Sequence, residues 1–149
     1  MRRLALAAAV LASTASLGVM TGGCSGHPTL SQWAQGSGVV GLDQTVASDV
    51  RGVFGARAAG KSAQFIATIC DALFNDASQA YDSVLPSPNH TINDELIGAY
   101  DDLENGAEAC SLDVGGSNTA ATAHAYGLIS SGEALLSTAT RNLASLGVK

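Results

Sequence analysis

Three thiols are the most reactive side chains in the sequence: Cys24, Cys70 and Cys110. A thiol can be acylated, can pair as a disulfide or, as thiolate, can hold a metal. In an exported chain an odd number leaves one over after a single bridge. Cys70 belongs to an apolar stripe of Ile66, Cys70, Leu73, Ala77, Ala80 and Val84, and Cys110 to another of Ile92, Leu96, Tyr100, Leu103, Ala107 and Cys110, both at helical spacing. In an antiparallel hairpin turning at Pro86 and Pro88, the two cysteines stand about 22–27 Å from the turn, at 1.5 Å of rise per residue. Matching levels on facing apolar stripes predict a Cys70–Cys110 disulfide, which leaves Cys24 as the odd thiol.

Gly55 to Ser62 fits G-x-x-x-x-G-K-[ST], the pattern in which backbone N–H groups cradle phosphates, a Lys reaches the outer ones and a hydroxyl meets magnesium. That chemistry needs a buried strand before the loop and alternating strands and helices after it. Instead Leu42, Val46, Val50 and Val53 precede it at helical spacing. The expected structure is an interhelical turn in which Ser62 caps the following helix, with no nucleotide bound.

The remaining candidates are thin. His27, His90 and His124 fall in a tether, a turn and a helix, which is no metal-ligand spacing. Asp101-Asp102-Leu103-Glu104-Asn105-Gly106 has Leu where a calcium loop needs its third ligand, and Leu112 where the twelfth-position Glu belongs. Ser130-Ser131-Gly132-Glu133 has no strand before it to build a nucleophile elbow. The chain is therefore expected to be no enzyme, without a cofactor.

What precedes Cys24 is an export signal: Met1-Arg2-Arg3, an apolar run from Leu4 to Met20, then small residues. The run is at or below the ~17–25 residues a membrane span requires. Thr21-Gly22-Gly23-Cys24 resembles the processing site of a bacterial lipoprotein. The resemblance implies removal of residues 1–23, lipidation of Cys24 and anchoring to the extracytoplasmic face of the membrane; plain secretion is the alternative. Five basic residues and all thirteen acids lie beyond residue 23, a formal charge of −8 for that part. With no Lys or Arg between Lys61 and Arg141, clustered phosphate contacts and hence nucleic acid are excluded as expectations.

These residues must be positioned by helices. Residues 24–41 read as a tether with a short helix, interrupted by Gly26, Gly36, Gly38 and Gly41, with Trp33 packing on a small core. Residues 42–149 read as one domain. Its elements are a helix from Leu42, a helix over about Ser62–Leu85, a helix opened by a Thr91 cap, and a last helix over about Asn118–Leu146, between Gly115-Gly116 and Gly147. The last helix carries Ala121, Ala125, Leu128, Gly132, Leu135, Ala139, Leu143 and Leu146 on one face, small residues that imply close helix approach or a shallow pocket. The expected fold is all-α, an up-down bundle of about four helices.

From Trp33 onward the chain resembles a group of small exported actinobacterial proteins that have a Trp near the mature start and a disulfide across a short helical bundle. The residues that carry the resemblance are Cys70-Asp71-Ala72-Leu73 with Asp76-Ala77, Leu85-Pro86-Ser87-Pro88, Ala99-Tyr100 with Leu103, and Gly106-Ala107 before Cys110. It implies a fold and a compartment and no activity. The functional expectation is a non-catalytic module that binds a protein or another envelope component. The alternative is a small carrier of an apolar ligand in the bundle core.

Overall fold

The computed structural model describes residues 26–113 and 118–149; Cys24, the leader and Gly115-Gly116 lie outside the described residues. Among the described residues the fold is all-helical, with five helices: α1 (Leu30–Ser37), α2 (Val39–Ala58), α3 (Ala63–Val84), α4 (His90–Leu112) and α5 (Thr119–Ser145). Four are long, and the fifth, α1, is the short helix in front of them. Among the described residues no helix is long and apolar enough to cross a membrane.

Local chemistry sets the breaks. Thr29 and Gln32 form a capping box at the start of α1, and Gly38, at φ 69°, takes the left-handed conformation that ends α1. Because the chain turns at that single glycine, α2 starts at Val39, three residues ahead of the expected Leu42, and Gly41 is absorbed into it. The phosphate-loop pattern dissolves the same way: Gly55 to Ala58 continue α2, Gly60 turns the chain at φ 61°, and the Ser62 hydroxyl accepts from the Phe65 N–H at 3.3 Å. The α4 cap is Asn89, whose side chain accepts from the Ile92 N–H at 3.0 Å, and not Thr91. Asn is the stronger cap, and its use starts the helix at His90.

Consecutive long helices pack antiparallel. Cys70 of α3 is disulfide-bonded to Cys110 of α4, with Cα atoms 5.9 Å apart. One turn region away, the Tyr81 and Tyr100 rings meet edge-on at 6.5 Å. The α3 stripe is buried except at Ile66, whose place Ala67 takes, and the whole α4 stripe is buried. Trp33 closes one end of the core and donates from Nε1 to the Val84 carbonyl at 2.9 Å. A buried indole N–H with a partner is a packed residue with its polar handle satisfied.

The α4–α5 contact is the closest. A Cβ placed on Gly132 would lie 2.6 Å from Leu103 Cγ and 2.8 Å from the Ala99 carbonyl oxygen; one on Gly106 would lie 2.8 Å from the Ile129 nitrogen. Two missing side chains let the helices touch backbone to side chain. This docking rotates α5 from its expected face: Ile129 and Leu136 are buried, Leu128 and Leu135 are only half-buried, and Ala121 and Leu146 are exposed.

Candidate binding groove

On its other side α5 meets α2, and here the helices do not close. Side chains meet across them at two levels. At one, Asp43 of α2 meets Thr140 of α5; at the other, the rings of Phe54 and Tyr126 lie 5.8 Å apart and the Arg57 guanidinium stacks on Tyr126 at 3.9 Å. Over the Asp43 contact and toward the ring contact runs an open groove of about 300 Å3. From α2, Val40, Asp43, Gln44, Ala47 and Arg51 follow one another along a single helical face; Glu133, Leu136, Ser137, Thr140 and Arg141 do the same on α5.

Asp43 forms the floor and is the buried charged residue of the core, 3% exposed. Its Oδ1 accepts from the Tyr100 hydroxyl at 2.6 Å. The Thr140 hydroxyl has one proton and two acceptors, the Leu136 carbonyl at 2.9 Å and Asp43 Oδ2 at 3.3 Å. Oδ2 is therefore the more weakly held oxygen. Burial pushes the Asp43 carboxyl up from 3.8 to about 6, against the two hydrogen bonds, which favour the anion. Burial, and then the adjacent carboxylate, push the Tyr100 phenol well above its ordinary value, so it remains a donor. The arrangement links α2, α4 and α5 through one satisfied polar cluster beneath an otherwise apolar seam.

The rim is cationic at two points. Arg51 and Arg141 are exposed, and neither has a carboxylate within 4 Å among the described residues. Among the described residues Arg141 donates to the Thr138 hydroxyl alone, at 3.1 Å. Between them lie Ala47 and Leu136. A groove with an apolar centre, a few placed polar groups and unpaired guanidinium forks has the composition of a ligand site at the small end of the usual size range.

The site residues expected from the sequence are elsewhere. Cys70 and Cys110 meet between α3 and α4, as a structural bridge that is no part of the groove lining, and Cys24 lies outside the described residues. The sequence did hold a signal for the groove. Asp43 falls in phase with Val39, Val46, Val50 and Val53, all fully buried, so the α2 seam runs through an acid and not through the half-buried Leu42. A carboxylate on an apolar seam needs a buried donor, and Tyr100, in phase on α4, supplies it. The acids of the calcium-like stretch lie within α4, where Asp102 accepts from the Ser131 hydroxyl at 2.6 Å. Comparison with protein-family models, with curated proteins and with solved structures finds no match to this chain, so the groove itself carries the functional reading.

Proposed function

We propose that this chain is an exported, lipid-anchored binding protein of the cell envelope, non-catalytic, held to the extracytoplasmic face of the membrane through Cys24 and meeting its partner at the α2–α5 groove. The single observation behind the binding role is that groove: two helices joined at Asp43–Thr140 and at Phe54–Tyr126, open along the stretch over the first contact, with unpaired guanidiniums at the rim. Among the described residues no Lys or Arg is paired with a carboxylate, and Arg51 and Arg141 are the two that line the groove, where they are available to a partner. Six residue steps lead from Cys24 to Leu30, so an acylated Cys24 would keep the α1 end of the bundle within about 20 Å of the bilayer, at ~3.4 Å per residue.

The alternative, a carrier with an apolar ligand in the core, has less support. Gly106 and Gly132 are taken up by helix contact, leaving no room at that seam. Two measurements test the reading. Detergent-phase partitioning and intact mass should show wild type acylated and membrane-bound and Cys24→Ser released; equal fractionation with an unmodified N-terminus refutes the anchor. A photo-crosslinker at Ser137, used on intact cells, should trap a partner that one on the opposite side, at Asp71, does not.

A further inference from the structure

The groove has a polarity along its length that narrows its ligand. Asp43 of α2 stands level with Thr140 of α5, and the two helices run antiparallel, since Phe54 lies beside Tyr126. Arg141, one residue beyond Thr140, is therefore at the Asp43 end. Arg51, eight residues after Asp43, is about 12 Å further along α2, at 1.5 Å per residue. The guanidiniums are rooted at opposite ends of the slot, and Ala47 and Leu136 occupy its middle. Each guanidinium carries a planar fork of donors suited to a carboxylate. A phosphate dianion at either end would face Glu133 or Asp43, whereas a carboxylate carries one charge and meets less repulsion.

We propose that the α2–α5 groove binds an elongated organic anion with a carboxylate at each end, one held by Arg51 and the other by Arg141, and with its methylene body on Ala47 and Leu136. The inference rests on the groove being the binding site, and it adds the chemical class of the ligand. A free dicarboxylate and a pair of acidic groups on a larger envelope molecule present the same chemistry. Spacing is the selective element: a ligand too short to reach both forks has one end unpaired, and one lacking the second carboxylate leaves a guanidinium unsatisfied.

Calorimetric titration of the full-length protein with succinate, adipate, suberate and octanoate is the test, with octylammonium and inorganic phosphate as controls. Suberate should bind at least tenfold tighter than succinate or octanoate, and suberate-induced amide shifts should map to Ala47 and Leu136. In Arg51→Gln and in Arg141→Gln, suberate should fall to the level of octanoate. A residue that merely supports the fold would weaken both ligands alike. Equal binding of suberate and octanoate by wild type, tighter binding of phosphate or octylammonium, or no binding at 10 mM overturns the assignment. The Ser137 crosslink on cells separates this failure from that of the binding role. A crosslink that persists with no dicarboxylate binding refutes the ligand class alone, and one that 10 mM suberate displaces identifies a larger partner presenting the same two acids.

Discussion

Helix α5 has two neighbours and treats them differently. Against α4 it is packed so closely that two glycines cannot accept a methyl group; against α2 it leaves a groove of about 300 Å3 floored by a buried carboxylate. The first contact is centred on buried apolar and small residues, with the Ser131–Asp102 and Asn142–Glu95 hydrogen bonds at its edges; the second has the Phe54–Tyr126 ring pair at one end and, at the groove, Asp43, Thr140 and two arginines at the rim. What the difference teaches is where stability and function separate in a small bundle. The α3–α4–α5 side carries the packing and the disulfide, and the α2–α5 side retains polar groups that packing alone would have replaced.

Breaking the closed side should have the largest effect. Reduction of Cys70–Cys110, or Cys70→Ser with Cys110→Ser, removes a cross-link over a 40-residue separation. On loop-closure entropy it contributes about 4 kcal/mol, a large part of a typical total of ~5–15 kcal/mol. Thermal unfolding with and without reductant should differ by on the order of 10 °C. Non-reducing peptide mapping should recover the two cysteine peptides as one species.

Next in size is Gly132→Ala. The new Cβ would press on Leu103 and on the Ala99 backbone, which cannot swing aside, so denaturant unfolding should show a loss of about 2–3 kcal/mol. Suberate affinity should change little in the folded variant, because the new Cβ meets Leu103 and Ala99 of α4 and no residue that lines the groove. A loss of binding as large as the loss of stability would show that the two sides are not separable.

Asp43→Asn probes the open side. An amide can still accept from Tyr100 and can donate to Thr140. Folded Asp43 titrates at about 6 and its ordinary value is 3.8, so between about pH 4 and pH 6 the folded chain keeps a proton that the unfolded chain has released. The stability contributed by this group is thus full below pH 4 and is lost as pH rises through 6. Above pH 6 Asp43→Asn should be the more stable by about 2–3 kcal/mol, with the gap closing toward pH 4. Asp49, raised to about 6 by burial first and then by Asp76, moves the same way, so the variant should flatten only part of the pH dependence.

The smallest effect should come from a glycine that closes nothing. Gly127, also on α5, has no atom within 4 Å of an added Cβ. Gly127→Ala should stabilise the helix by about 0.5–1 kcal/mol. Opposite signs for Gly127→Ala and Gly132→Ala on one helix would place the close contact directly.

Sequence periodicity by itself determined the all-helical fold, the α3 and α4 stripes and the Cys70–Cys110 pairing. Each of those helices puts a single phased row of large side chains into the core, and a row with one phase has one inward face. Ser62 as a cap and Trp33 as a packed residue were legible for similarly local reasons. Tertiary structure decided the rest. Helix α5 is rich in Ala and Gly, so its apolar stripe is too wide to fix a rotation, and only the fit of Gly132 and Gly106 against α4 selected Ile129 and Leu136 over Leu128 and Leu135. Leu42 and Asp43 are adjacent, and hydropathy favours the leucine. The acid is buried because Tyr100, 57 residues away, and Thr140, 97 away, come together around it. The groove follows from that same meeting of α2, α4 and α5, since hydrogen bonds between distant positions leave no period in a sequence.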